Sequence, residues 1–342
     1  MHSHAAHGRS RAAALMAAGL ALLVAGYLLG VARGPAPTAQ AAPSGETYIY
    51  LANVTQVPFW IDQKHALEDA GKYLGVRTQF TGPTTADAQA EAAALDQIVA
   101  THPAGIMVFP PDSKTLIPGI NRAVEAGIPV VTMIGDVPDS KRFTHIGIDN
   151  YRAGEEGAKL LAAAIGGKGK VVVGTFQAAG VLDRMRGYKD YLAKHYPAIQ
   201  VVGVVDDHAD PSYAPQAYAA AISAHPDLAG IGGTDGDSGA GAARAVVEAG
   251  KKGKIKIVAM DRNEDMLNYI QDGTITASVA QKSYMETWLA VNLLYWLHHN
   301  VGPARMLPDW KAAKIDPLPQ DVDTGIMPIT RDNVQQFRHA TK

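Results

Sequence analysis

Four polar residues of this 342-residue chain stand just beyond short apolar runs. Asn53 follows residues 48–52, Asp112 follows 106–109, Asp235 follows 230–232 and Asp261 follows 255–259. A carboxylate at the end of a buried run costs several kcal/mol of desolvation unless it gains partners. Hydroxyls of a bound molecule, or an arginine, would supply them. Each residue would serve equally well as the cap of a following helix, a routine use of aspartate and asparagine. Arg184, within Leu182-Asp183-Arg184-Met185-Arg186-Gly187, sits near a helix start, where a guanidinium fork matches two adjacent hydroxyls. Asp183 and Arg186 offer the alternative of a surface ion pair, which contributes little. Pro58-Phe59-Trp60 brings two rings beside the first apolar run, either to stack on the C–H face of a saturated ring or to fill the core.

Other motifs carry no chemistry. Gly236-Asp237-Ser238-Gly239 reads like a serine-protease fragment, but no histidine partner or strand order suits it. The glycines between 230 and 241 lack both the dinucleotide spacing and the phosphate-loop lysine. Among the 12 histidines, His298-His299 and the trio His2, His4 and His7 have no zinc spacing and read as solvated surface.

The elements that must position these residues alternate. From Thr47 to about Asn300, short β-branched runs (48–52, 76–80, 106–109, 130–133, 145–148, 171–175, 201–205, 230–232, 255–259 and 275–280) trade places with amphipathic stretches (59–74, 86–101, 114–126, 151–165 and 285–299). Such alternation predicts parallel sheets covered by helices. Most runs are apolar throughout, as strands covered on both faces should be. In such sheets ligands sit outside the carboxyl ends of the strands, which is where the four polar residues fall. Glycines 75, 127, 166 and 250 punctuate the helix ends. The turn at Asp149-Asn150 marks the boundary between two α/β units.

Composition narrows the function classes. Length favours two domains. With 47% hydrophobic residues, 19% charged residues and a net charge of -2, the chain has no basic field for nucleic acid. The absence of cysteine excludes disulfides, thiolate metal sites and cysteine nucleophiles. At the amino terminus, histidines and arginines precede an unbroken apolar run over 12–31, a Pro/Ala-rich stretch over 34–43, and the small-x-small site Ala39-Gln40-Ala41. That order predicts an export signal, either cleaved or kept as a membrane anchor.

The chain resembles the periplasmic binding proteins of the ribose-binding type. The residues that carry the resemblance are Pro58-Phe59-Trp60, the run from Ala126-Gly127-Ile128-Pro129 into Val130-Val131-Thr132, and Ile148-Asp149-Asn150 with Ala153-Gly154. His225-Pro226-Asp227, Gly241-Ala242-Ala243-Arg244-Ala245, and Val258-Ala259-Met260-Asp261 with Gln281 extend it. The resemblance implies an α/β fold of two doubly wound parallel-sheet lobes joined by a three-crossover hinge. Residues 45–148 and 282–322 would form the first lobe and 149–281 and 323–342 the second, after a signal or anchor with linker over 1–44. It also implies that Asn53, Phe59, Trp60, Arg184, Asp235, Asp261 and Gln281 contact a ligand held between the lobes. Val57, Phe109, Ile134 and Ile148 stand where ribose-type members place polar contacts, so Phe109 is expected to press on an apolar ligand face. Asp136 or Asp112 would return some polarity. This pattern fits a deoxy sugar, a polyol held along one edge, or a more apolar ligand better than ribose. The implied role is that of an exported, monomeric solute-binding protein that is not an enzyme. It would carry no cofactor or metal and deliver its ligand to the permease of an inner-membrane ABC transporter. The alternative is a periplasmic sensor that presents the same ligand to a chemoreceptor or membrane histidine kinase.

Overall fold

The computed structural model describes residues 45–306, 309–313 and 315–338. The expected export run over 12–31 and its cleavage site lie outside them.

Ten strands alternate with helices, save that β4 runs to β5 through a loop. The first sheet is built from β1 (Thr47–Leu51), β2 (Arg77–Thr81), β3 (Gly105–Val108), β4 (Val130–Met133) and β5 (Thr144–Gly147). The second uses β6 (Gly169–Thr175), β7 (Ile199–Asp206), β8 (Leu228–Gly232), β9 (Lys256–Met260) and β10 (Ala277–Ala280). Two short strands near the carboxyl terminus complete them, β11 (Asp321–Asp323) and β12 (Met327–Thr330). The orders are β11-β5-β4-β3-β1-β2 and β12-β10-β9-β8-β6-β7, the same doubly wound path twice. All pairs are parallel except β10 with β12. Strands β3, β4, β5 and β10 are buried along their whole length, as two-sided helical cover requires.

Three segments carry the chain between sheets. After β5 it enters α4 (Asn150–Ala164), whose Ala158, Leu161 and Ala162 pack on Val171, Val258 and Ala277 of the second sheet. After β10 it returns through α9 (Ser283–His299), whose Ala290, Val291, Leu294 and Leu297 join Tyr48, Met107 and Ile146 of the first. Each buried leucine there stabilises that docking by roughly 1.5–3 kcal/mol. The third crossing, from β11 to β12, takes residues 324–326.

The remaining long helices are α1 (Ile61–Leu74), α2 (Ala88–Ala100), α3 (Ile117–Glu125), α5 (Ala179–His195), α6 (Ala214–Ala224), α7 (Gly236–Glu248) and α8 (Glu264–Gln271). α4 and α5 approach until their backbones touch. A Cβ on Gly154 would lie 2.0 Å from the carbonyl oxygen of Arg184, and one on Gly187 2.1 Å from that of Tyr151. Glycine at both positions is what lets the α5 segment bearing Arg184 sit against α4.

Candidate functional site

A doubly wound sheet opens a crevice where the strand order reverses, here between β1 and β3 in one lobe and between β6 and β8 in the other. The residues just past those strands are Asn53, Phe109, Phe176 and Asp235. All four line one cavity between the lobes, about 390 Å³ of space free of atoms when the open solvent at its mouth is counted. The cavity also takes Val57, Phe59, Trp60, Ile134, Val181, Arg184, Asp237, Asp261 and Gln281.

The two walls differ in kind. The first lobe gives Val57, Phe59, Trp60, Phe109 and Ile134, with Asn53 its polar exception. Trp60 is 1% exposed and donates from Nε1 to the Val54 carbonyl at 2.6 Å. Its ring centroid lies 4.9 Å from Phe59, 5.3 Å from Phe80 and 6.2 Å from Phe109. Trp60 is therefore the floor of the wall and Phe59 its half-buried face. The second lobe gives Arg184, Asp235, Asp237, Asp261 and Gln281, all buried, beside the apolar Phe176, Val181 and Ala209.

Each polar side chain is held by part of itself. Arg184 donates from Nε to Asn150 Oδ1 at 2.8 Å and from Nη1 to the Thr234 carbonyl at 3.1 Å, while Nη2 has no partner among the described residues. Gln281 donates to Asp261 Oδ1 at 2.9 Å and leaves Oε1 unpaired. Both polar atoms of the Asn53 amide are unpaired. Asp235 caps α7, accepting from the backbones of Asp237 at 3.0 Å and Ser238 at 2.9 Å, with the Ser238 hydroxyl on its other oxygen. Its capping use, one of the two open readings of the sequence, is real and still leaves it on the cavity wall.

Backbone strain marks equivalent points of both lobes. Ile134 follows β4 with φ 65°, and Asp261 follows β9 with φ 70°, a left-handed conformation that costs a non-glycine residue of order 1–3 kcal/mol. Each donates its N–H to the fifth strand of its own sheet, to Ile146 at 3.3 Å and Val279 at 2.9 Å. The strain turns both side chains into the cavity.

Charge there is unbalanced. Three carboxylates face one guanidinium, and burial raises the Asp261 carboxyl to about 6 although Arg184 and Gln281 oppose it. Burial, then Asp235 and Asp261, raise Asp237 to about 7. Burial raises Asp235 as well.

Asp136, expected to return polarity to the site, stands elsewhere. It does not line the cavity. Its two oxygens accept from Arg142 Nε at 2.6 Å and Nη2 at 2.5 Å, and Thr132 adds a bond at 2.6 Å. Burial alone would raise its pKa, but these partners hold the carboxyl below the usual range. Asp136 thus anchors Arg142, which in turn donates to the Gln320 carbonyl beside β11 at 3.0 Å. Asp112 is a turn cap, accepting from the backbones of Lys114 and Thr115 at 2.7 Å each. It borders a larger groove of about 1740 Å³, open to solvent, that meets the cavity at Val54, Phe176 and Ala209.

Residues 49–298 match the profile of the periplasmic binding protein domain. The chain belongs to that family. Members bind a solute rather than transform it, and this periplasmic binding protein is accordingly not an enzyme. It is 27% identical over 252 residues to the xylitol-binding protein of Mycolicibacterium smegmatis, covering 72% of this chain and 67% of that one. A sugar-binding protein of a Bacillus halodurans sugar ABC transporter aligns over 86% of this chain and 100% of its own, with 31% identity and a TM-score of 0.75. An ABC transporter solute-binding protein from Burkholderia graminis, in complex with D-arabinose, aligns over 86% of this chain and 98% of its own, with 27% identity and a TM-score of 0.77.

Several lining residues of this binding protein lie outside the rule of polar groups just after strands. Phe176 obeys the positional rule but is apolar, Val181 lies on the first turn of α5, and Asp237 sits two residues beyond Asp235 within the protease-like fragment. Counting residues past β6 would have found the first.

Proposed function

We propose that this chain captures a small, uncharged polyhydroxyl compound, a sugar or sugar alcohol, between its lobes and hands it to the permease of an ABC transporter. The observation that carries the reading is the set of buried, unpartnered atoms converging on one cavity: the Asn53 amide, Arg184 Nη2 and Gln281 Oε1. An unsatisfied buried polar group costs about 1–3 kcal/mol, so a ligand that pairs all of them gains what folding left unmade. Hydroxyls suit this mixture of donors and acceptors because each both gives and takes a hydrogen bond. The apolar wall of Val57, Phe59, Phe109 and Ile134 favours a ligand with one hydroxyl-poor face, and three carboxylates against one guanidinium disfavour sugar acids and sugar phosphates.

Ligand touching both walls shifts the molecule toward its closed form by its difference in affinity for the two forms. The lobes proposed for that motion are 45–148 with 282–322 and 149–281 with the tail from 323. Family membership and the apolar run at 12–31 support export to the periplasm, with the mature protein acting as a monomer.

A thermal-shift and calorimetric screen of pentoses, deoxyhexoses, pentitols, hexitols and their phosphates tests the ligand class. Neutral members should raise Tm and phosphates should not; a hit confined to anions overturns the reading. Uptake of the hit in a strain lacking the chain tests the partner. Undiminished uptake together with loss of a ligand-dependent chemotactic or transcriptional response would replace the permease by a sensory receptor.

A further inference from the structure

The fold lays the start of β1 beside the end of α9. Glu46, one residue before β1, has a side chain 6% exposed, and both of its oxygens face His299 Nε2, at 2.9 and 3.1 Å. The Tyr48 hydroxyl also donates to it. His298 makes no hydrogen bond among the described residues; its ring stands edge-on to that of His299, with centroids 5.0 Å apart. One ligand atom from each of Glu46, His298 and His299 lies within 4.8 Å of the other two.

We infer that these three side chains form a binding site for a divalent transition metal of the zinc class, clipping the first residues of the fold to its last long helix. Two imidazoles and one carboxylate are ligands such an ion takes at about 2.0–2.2 Å, which in a tetrahedron sets ligand atoms about 3.4 Å apart. Glu46 and His299 already stand closer than that. His298, exposed at the end of α9, closes the remaining gap by side-chain rotation. Two further features fit a cation. The carboxylate offsets part of its charge. α9 ends here, at the left-handed Asn300, and a helix carboxyl end favours positive charge. The groups that oppose a cation are Lys311, near His298, and Arg77, which lines the same open pocket with Gln79 and His102. That pocket is open to solvent and leaves room for water at the fourth position.

The spacing of His298 and His299 conceals this arrangement because the carboxylate comes from the opposite end of the chain. Zinc chloride titrated into the full chain by calorimetry, with Tm followed in parallel, tests it. His2, His4 and His7 can also take metal, so the readout is the difference between wild type and the His298→Gln/His299→Gln variant. Wild type should bind one equivalent more and show a zinc-dependent rise in Tm that the variant lacks. Cobalt(II) should give the visible absorption of a tetrahedral site in wild type only. Glu46→Gln, which keeps size and hydrogen bonds, should weaken zinc at least tenfold and guards against misfolding of the double variant. Equal stoichiometry and equal Tm shifts in all three proteins, or no zinc bound by wild type, would overturn the inference.

Discussion

The guanidinium of Arg262 grips the carboxylate of Asp62 at two points, Nε to Oδ2 at 2.8 Å and Nη2 to Oδ1 at 2.6 Å, and so ties the second lobe to the first. Asp62 lies in the first turn of α1, and Arg262 directly follows Asp261 on the cavity wall. Arg262 also donates to the Phe337 carbonyl at 2.5 Å. A side chain that faces the ligand and one that joins the lobes are thus neighbours on the chain.

Arg262→Ala should therefore weaken ligand binding without touching the ligand. The proposed closure would make this pair, and a partly buried bidentate pair is worth on the order of 1–2 kcal/mol, or roughly 5- to 30-fold in Kd. Arg262→Lys should not restore it, since an ammonium cannot form the fork. Calorimetry gives the affinity, and small-angle scattering should show the liganded variant more open than wild type. An unchanged Kd would remove the pair from the closing mechanism.

Asp261→Asn should uncouple binding from stability. Its folded pKa of about 6 lies above the unfolded value of about 3.9, so the folded chain keeps a proton that the unfolded chain sheds. The stability linked to that proton is complete below about pH 4 and lost as pH rises through about 6. The variant should lose this slope in apo Tm between pH 4 and 6. It should also bind ligand on the order of 10- to 100-fold more weakly, the worth of a hydrogen bond to a charged group.

Asp237 offers a sharper test of the cavity. Its carboxyl titrates at about 7, and a ligand hydroxyl donating to it favours the ionised form. Binding then releases a proton, so affinity should climb as pH rises from 6 to 8 and level off above. Asp237→Asn should flatten that profile. A flat wild-type profile would mean that Asp237 faces water rather than ligand.

Away from the cleft, Glu91 of α2 is 0% exposed, and neither carboxyl oxygen has a partner. Burial, with Asp112 adding to it, raises its pKa to about 9. Its folded value is raised, so the chain loses stability as pH climbs from the unfolded value of about 4.3 toward 9. Glu91→Leu should stabilise the protein at pH 8 by on the order of 1–3 kcal/mol, with the gain shrinking toward pH 4. Urea melts at the two pH values check this; a variant less stable at pH 8 would contradict the assignment.

The fold was legible because strands covered on both faces are written as plain apolar runs, and because each run fixes the place of the residue just past its end. That logic finds Asn53, Asp235 and Asp261 from order alone. It also picks Asp112, which borders the open groove and not the cavity. Asp136 is expected from the family resemblance instead, and its partner Arg142 arrives by a fold of the loop before β5 that no periodicity records. It also passes over Phe176 and β11, the first for being apolar and the second for being only three residues long. Long-range pairings such as Glu46 with His299 leave no local mark, since neither neighbourhood changes when the other is removed from view.

Residues 324–326 separate the last strand of the first sheet from the last strand of the second. Because the polypeptide visits each half twice, no single cut yields either half as one continuous fragment with its full sheet. Severing the chain at Asp149 would leave the upstream piece without α9 and β11, and the downstream piece carrying two orphaned elements. Neither half can therefore be made whole from one uninterrupted stretch of the chain.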